Sequence, residues 1–268
     1  MTKIIASAIN KGGVGKTSLI SNLAGSVVKE FDCKVLIIDS DGQGNLGLAF
    51  NIVPNKVKST LYDVLVHNKP IKDSIIPITE NLDILPSNID MNFIEFDILP
   101  NLDKFKDPFY MLKNALNDIV DDYDYIFIDT PPAMGLVVGN VLTAATDVII
   151  PYVPEVFSVN GLIRIHTEIN NFTKSFNNDL NILGIVGMMV DLRTTLHQDM
   201  LQQARAHCYN NNINMFETII PRSIRFAHSN LDGIPAVWQE KPNHLINSYY
   251  ELLNELIESG VFDGKKRK

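Results

Sequence analysis

The sequence predicts an α/β domain with a mostly parallel central sheet flanked by helices. Its short β-branched segments are apolar throughout rather than alternating, which is typical of strands buried on both faces of a parallel sheet. Segments with apolar residues at helical spacing separate these strands, as crossover connections between parallel strands require. The chain has 268 residues, 46% of them hydrophobic and 20% charged, so it is long enough to bury a large core.

The predicted elements follow one another along the chain. In order, the strands span residues 4–9, 35–38, 125–128, 148–150 and 182–186. A helix between the first two strands is predicted from the apolar spacing of Ile20, Leu23, Ala24, Val27 and Val28. A helix near the C-terminus, with its apolar stripe in the core, is predicted from Leu245, Tyr249, Leu252, Leu253 and Leu256.

The remaining segments carry weaker signals. Residues 42–120, rich in Asn, Pro and Asp, are expected to form helices and loops at one end of the sheet. No linker or repeat interrupts the pattern, so we predict one domain over residues 1–263, followed by a basic tail at 264–268.

Composition excludes several classes of protein. The net charge of −8 argues against a protein coated with basic charge for nucleic acid. No apolar run approaches the ~18 residues of a membrane span, and no signal peptide is recognised at the N-terminus. Cys33 and Cys208 do not form a disulfide framework, which fits a reducing, cytosolic compartment.

A glycine-rich loop joins the first predicted strand to the first predicted helix. In such a loop the backbone N–H groups and the helix N-terminus surround phosphate. Lys16 is expected to reach the β- and γ-phosphates, and the Thr17 hydroxyl to hold Mg²⁺. The loop has six fixed positions: Lys11, Gly12, Gly13, Gly15, Lys16 and Thr17. A match at all six arises by chance about once in 10⁷ windows at average residue usage. The predicted nucleotide-binding residues are Lys11, Gly12, Gly13, Val14, Gly15, Lys16, Thr17 and Ser18.

Two acidic motifs follow later strands. Asp39 and Asp41 lie just beyond the strand at 35–38, where open α/β sheets bind their ligands. Asp129 ends the apolar run 125–128, the position from which an aspartate binds Mg²⁺ through water in P-loop enzymes.

The loop resembles the deviant Walker A motif of the ParA/MinD family of P-loop ATPases. Asn10 stands where the standard motif has its first glycine, and Lys11 is the lysine added in that family. The resemblance implies a single-domain P-loop NTPase fold, ATP and Mg²⁺ as cofactors, and a homodimer in which Lys11 touches the partner copy's nucleotide. It gives catalytic roles to Lys11, Lys16 and Asp41, with Asp41 orienting the attacking water. It assigns Thr17, Asp39 and Asp129 to the metal site.

One residue departs from the family pattern after the second strand. Gly42 stands where the family has proline, between Asp41 and Gln43. Glycine leaves φ free where proline fixes it, so we hypothesise a looser loop and slower hydrolysis.

Further segments resemble the partition branch of the family. They are residues 85–88, 147–151, Glu155 with Gly161, 220–223 and 233–235. The resemblance implies that Pro221 and Arg222 lie beside adenine and that the ATP-bound dimer holds nonspecific DNA. It also implies a ParB-like centromere-binding partner, usually with a basic arm, and a cytoplasmic protein that associates with the nucleoid when ATP is bound.

The DNA-binding candidates come from a local charge excess. Residues 193–241 carry five basic and four acidic side chains, whereas the rest of the chain totals −9. Dimerisation would double a basic face there and make DNA binding depend on ATP. Arg193 and Arg225 are the first candidates and Lys241 the next.

Two alternatives stay open. A membrane-cycling positioning ATPase of MinD type would need a basic amphipathic helix, but the final helical pattern carries Glu251, Glu255 and Glu258, so no membrane contact is expected. A metabolic or regulatory P-loop enzyme acting on a small substrate would need neither partner nor DNA. Iron–sulfur carriers are excluded, since Cys33 and Cys208 lack the close spacing of cluster ligands.

Overall fold

Eight strands form one sheet in the computed structural model, which describes residues 2–156, 158–223, 232–239 and 244–263. They are β1 (Lys3–Ser7), β2 (Val35–Asp39), β3 (Ile76–Thr79), β4 (Leu82–Leu85), β5 (Tyr125–Asp129), β6 (Asp147–Tyr152), β7 (Asn181–Val190) and β8 (Met215–Pro221). Their spatial order is β3-β4-β2-β5-β1-β6-β7-β8. Within the described residues, the β3–β4 pair at one edge is antiparallel and the other pairs are parallel. The predicted fold class is confirmed.

Helices cover both faces of this sheet. They are α1 (Lys16–Glu30), α2 (Asn45–Leu48), α3 (Leu61–His67), α4 (Ile94–Ile98), α5 (Met111–Leu116), α6 (Leu136–Ala144), α7 (Ser158–Phe176), α8 (Thr195–Asn210) and α9 (His244–Glu258). Short 3-10 turns at 89–93 and 99–101 extend α4 at both ends. None of the helices in the described residues combines the length and apolarity that crossing a membrane requires.

The core lies in two layers, one on each side of the sheet. Alternate residues of the central strands point to opposite layers, so Ile4 packs in one and Ile5 in the other. The layer containing Ile5 also receives α1 and α9, whereas α3, α5, α6 and α7 contribute to the other. Burial on both faces explains why the central strands are apolar throughout.

The expectation for residues 42–120 was incomplete. This region contains helices and loops, but it also contains β3 and β4, and β4 extends the parallel sheet beside β2. Asp83 lies within β4 and is buried, where the Tyr123 hydroxyl donates a 2.8 Å hydrogen bond to it. This buried polar residue interrupts the apolar pattern by which a strand is recognised. The sequence reasoning also missed β8, whose burial alternates as in a strand with one open face.

The predicted C-terminal stripe packs in the core of α9. Tyr249, Leu252, Leu253 and Leu256 are each 0% exposed. The Leu245 side chain and the predicted basic tail at 264–268 lie outside the described residues. The apolar face of α9 is therefore occupied by the protein itself.

Candidate active site

The predicted acidic residues meet at the carboxyl edge of the sheet. The parallel register pairs Asp39 of β2 with Asp129 of β5, and Asp129 with Ser7 of β1. The glycine-rich loop leaves β1 at the same edge and leads into α1. Strand topology thus brings together motifs that lie up to 112 residues apart.

The loop needs glycine at two positions. Gly13 and Gly15 have φ of 70° and 87°, in the left-handed region that favours glycine. A Cβ on Gly15 would also lie 3.0 Å from the Met188 side chain. The Gly15 carbonyl accepts a 2.8 Å bond from Leu19 N–H and so begins the hydrogen-bond ladder of α1. The backbone N–H groups at the start of α1 are thus available to an anion.

Lys16 is a buried cation beside this loop. Its ammonium donates a 3.0 Å hydrogen bond to the Lys11 carbonyl, and burial lowers its pKa while Asp129 and Asp41 oppose that shift. Burial removes the Lys16 ammonium from water. The negative charge of a polyphosphate bound in the cleft would stabilise this ammonium in place of solvent.

Thr17 and Asp129 form a donor set that fits Mg²⁺. The Thr17 hydroxyl donates a 2.5 Å bond to Asp129 Oδ2. Asp129 Oδ1 is buried and makes no hydrogen bond within the described residues. Burial raises the pKa of Asp129 to about 7. An unpartnered buried carboxylate oxygen beside a hydroxyl is the hard-oxygen environment that Mg²⁺ or its bound water prefers.

Asp39 holds the loop after β2 in place. Its Oδ2 accepts hydrogen bonds from Leu46 N–H (2.9 Å) and Gly47 N–H (3.1 Å), and its Oδ1 accepts one from Asp41 N–H (3.1 Å). Burial and the nearby Asp129 raise its pKa well above the usual range. Both oxygens are thus engaged by backbone, so shaping the loop is the role its contacts support, and its predicted contact with metal-bound water stays a prediction.

Asp41 lines the cleft and remains half-buried. Its Oδ1 accepts a 3.0 Å bond from Gln43 N–H, and its charge raises the pKa of both Lys16 and Asp129. This carboxylate is therefore close enough to influence both groups electrostatically while staying accessible to a water molecule.

Gly42 lies against the exposed side chain of Asn92. Its φ lies outside the left-handed region, but a Cβ there would overlap the Asn92 side-chain amide. Asp39 also fixes the neighbouring backbone. The hypothesis of a loose loop assumed that Gly42 contributes through its free φ. The structure indicates that Gly42 contributes mainly by leaving space for the Asn92 side chain.

We expect Gly42→Pro to lower the melting temperature only modestly, because the Asn92 side chain that the ring would meet is exposed, so the cost should lie near the lower end of overpacking, about 1 kcal/mol. For a chain of this size that corresponds to a fall of about 2–4 °C. Adding Asn92→Ala should restore most of the lost melting temperature. If the family's proline speeds hydrolysis, the double variant should turn over ATP faster than Asn92→Ala alone, as a steady-state phosphate assay would show. Equal turnover would contradict the hypothesis of slower hydrolysis.

Lys11 forms an ion pair within its own chain. Its ammonium lies 2.5 Å from Glu155 Oε2, and the two side chains are 46% and 55% exposed. Glu155 follows β6, 144 residues away in sequence. An exposed pair of this kind contributes at most about 1 kcal/mol, so the lysine can leave it readily for a stronger anion. The sequence reasoning cited Glu155 only as part of a resemblance and did not foresee this contact.

A cleft of about 1380 Å³ extends from the loop toward β7 and β8. Pro221 and Arg222 also line it, together with Met188 and Met189, whose side chains lie next to Gly15. Apolar side chains beside an open cleft suit the flat face of a nucleobase. The phosphate loop and the segment expected beside adenine thus share one cleft.

Tyr249 of α9 contacts the first turn of α1, next to the loop, and the sequence reasoning did not predict this contact. Its hydroxyl lies 3.0 Å from Ser18 Oγ, and burial raises its pKa above the usual range. The two residues are 231 positions apart, so no local pattern could reveal the contact.

The structure describes one of the three DNA-binding candidates, Arg193. Arg193 lies at the rim of the same cleft, and its side chain is 89% exposed. Its guanidinium donates two hydrogen bonds to Asp191, at 2.8 and 2.7 Å, which lowers the pKa of that carboxyl. Arg225 and Lys241 lie outside the described residues.

Comparison with known proteins gives consistent relatives. A family described as an AAA domain matches residues 2–182. The chain is 33% identical to the sporulation initiation inhibitor protein Soj of Bacillus subtilis, over 97% of this chain and 100% of that protein. It is 31% identical to the chromosome partitioning protein ParA of Myxococcus xanthus, over 99% and 92%. A crystal structure of cobyrinic acid a,c-diamide synthase from Mycobacterium smegmatis, with bound ATP analogue and magnesium, superposes with a TM-score of 0.83 at 27% identity, covering 99% of both chains.

Proposed function

The chain belongs to the ParA family of P-loop NTPases, and from this premise we propose that it is an ATP-dependent DNA partition ATPase. The relatives include a protein named for chromosome partitioning, matched over nearly the whole chain. In the proposed cycle, two ATP-bound copies close on each other and hold nonspecific DNA. A ParB-like centromere-binding partner then stimulates hydrolysis, and the copies separate and release DNA.

The observation that carries this proposal is the group formed by Lys16, Thr17 and Asp129. The Thr17–Asp129 hydrogen bond and the unpartnered Asp129 oxygen support a magnesium site directly beside a buried lysine. Bound Mg²⁺ would neutralise charge on the β- and γ-phosphates of ATP. Lys16 would bind the same phosphates.

Asp41 would orient the water that attacks the γ-phosphate. Asp41 lines an accessible cleft and accepts one backbone hydrogen bond, at Oδ1, whereas backbone N–H groups engage both oxygens of Asp39. In phosphoryl transfer the protein acts mainly by positioning and by charge neutralisation. Basal turnover is expected to be slow while the site lacks the cation supplied by a second copy.

Lys11 would supply that cation in the dimer. The proposal requires it to leave Glu155, an exposed partner, for the triphosphate of the other copy. Both partners of the ion pair reach solvent, which supports an exchange of this kind.

DNA binding is proposed for Arg193, Arg225 and Lys241, of which the described residues include Arg193. We expect Arg225→Glu to lose retention of nonspecific duplex DNA while ATP-dependent dimerisation is preserved. Each dimer would lose about two phosphate contacts, so the slope of log affinity against log salt should fall by about 2. The measurement is duplex binding with ATP over a salt series.

The matched control is Arg164→Glu, on the exposed surface of α7, where the arginine pairs with Glu168. It changes charge equally and should leave DNA binding intact. Unaltered, salt-sensitive binding by Arg225→Glu would place the DNA face elsewhere.

The structure does not favour a MinD-type membrane cycle. Such a cycle needs an amphipathic helix with a free apolar face, but the apolar face of α9 is buried in the core. Liposome co-sedimentation with ATP, without DNA retention, would reverse this preference.

A further inference from the structure

The helical segment around α4 exposes a stripe of apolar side chains. On its inner side Met91, Ile94 and Ile98 are buried in the core. On its outer side, starting with a spacing of i, i+4 and i+7, lie Ile89 (51% exposed), Phe93 (54%), Phe96 (77%), Leu99 (49%) and Leu102 (50%). Single exposed apolar residues are common, but a contiguous group of this kind marks an interaction site.

Acidic residues border the stripe. No lysine or arginine occurs between Lys72 and Lys104. The segment carries four carboxylates: Asp90, Glu95 and Asp103 are exposed, and Asp97 is half-buried and accepts a 2.7 Å hydrogen bond from the Tyr62 hydroxyl. We call the five apolar side chains and these four carboxylates the acidic–apolar face.

The same segment contacts the loops of the active site. Asn92 packs against Gly42, next to Asp41. Glu95 Oε1 accepts a 2.7 Å hydrogen bond from Leu136 N–H, where α6 begins after the Asp129 loop. A movement of α4 would therefore reach both acidic motifs.

We propose that the acidic–apolar face is the docking site for a basic amphipathic peptide segment of a partner protein, and that docking accelerates ATP hydrolysis through Asn92 and Glu95. This inference rests on the proposed function. Lysine or arginine side chains would pair with the carboxylates while apolar residues cover the stripe. A second copy is a poorer occupant, because a symmetric contact would place four carboxylates against four others.

The test uses the full chain with ATP and Mg²⁺ and a designed helical peptide of about 18 residues, with Leu on one face and Lys on the other. Binding is followed by fluorescence anisotropy and turnover by phosphate release; the control peptide carries Glu in place of Lys. We expect the basic peptide to bind and to raise turnover several-fold, and the acidic peptide to do neither.

Variants locate the site. Phe93→Ser/Phe96→Ser should weaken peptide binding about 10-fold or more, as expected for central apolar anchors. Tyr209→Ser, at a side chain 85% exposed on α8, should not. Asp103→Lys should weaken binding, whereas Asp179→Lys, another exposed position, should have little effect.

Glu95 is a positioning residue in this scheme. Glu95→Ala removes one of the four carboxylates, so it should weaken peptide binding only slightly, but it should lose the stimulation of turnover. Glu95→Gln, which can still accept the Leu136 hydrogen bond, should keep the stimulation. A residue needed only for folding would change affinity and basal turnover together.

Three results would overturn the docking site: absence of peptide binding, equal binding by the Phe93/Phe96 variant and the wild type, or loss of ATP-dependent self-association by that variant without peptide. The last result would make the face a contact between copies. Failure of the wild type to bind ATP would instead contradict the proposed function, and peptide binding that depends on Phe93 and Phe96 would still support the docking site.

Discussion

Replacing Lys16 by alanine is expected to weaken ATP binding by at least about 30-fold. Removing one partner of a desolvated charge pair costs roughly 2–5 kcal/mol, and each 1.4 kcal/mol is a factor of ten. Lys16 is buried and its charge also offsets those of Asp129 and Asp41. The measurement is titration of the protein with ATP and Mg²⁺ by calorimetry.

The control for this variant is Lys174→Ala, at an exposed position of α7 that should not affect affinity. A melting curve separates lost binding from lost folding, since removal of Lys16 leaves two neighbouring carboxylates, Asp129 and Asp41, less compensated. Wild-type affinity in a folded Lys16→Ala protein would remove the phosphate-loop assignment.

Replacing Asp41 by alanine is expected to reduce ATP turnover by about 100-fold or more without weakening ATP binding. Loss of a group that orients the attacking water removes an interaction made mainly in the transition state, so kcat falls more than affinity. Its side chain makes one local hydrogen bond, to Gln43 N–H, so the loop should keep the shape that Asp39 imposes. Single-turnover phosphate release and ATP titration measure the two quantities separately.

Asp179→Ala serves as the control for a lost surface carboxylate. ATP-dependent dimerisation should persist in Asp41→Ala and last longer than in the wild type. Normal turnover would contradict the role of Asp41 and transfer it to Asp39, which would then have to give up hydrogen bonds to Leu46, Gly47 or Asp41.

Local sequence patterns predicted the parts of the site that are local in the chain. Asp39 and Asp129 end buried strands, and the loop from Lys11 to Ser18 and Asp41 come shortly after such strands. Parallel strands end at the same edge of a sheet. Their convergence could therefore be inferred without coordinates. The apolar face of α9 was also predicted from local sequence, because the helical spacing of its apolar residues indicates a core helix.

Contacts between distant segments could not be predicted in this way. The Lys11–Glu155 pair and the Ser18–Tyr249 contact join residues 144 and 231 positions apart. The space that Gly42 leaves for Asn92 also depends on how the segment around α4 packs. From the sequence, only the conformational freedom of that glycine could be inferred. The strands β4 and β8 were also not predicted, because β4 contains the buried Asp83 and the residues of β8 alternate in burial.

The central claim is that ATP joins two copies through Lys11. Its most direct test is the mass in solution, by light scattering, of the wild type and of Lys11→Ala, each with ATP and Mg²⁺, with ADP and Mg²⁺, and without nucleotide. The wild type should have the mass of one chain, 30.0 kDa, except with ATP, where it should have twice that mass. Lys11→Ala should bind ATP but keep the single-chain mass throughout. If Lys11→Ala doubles its mass with ATP as the wild type does, then the cross-subunit role of Lys11 is contradicted.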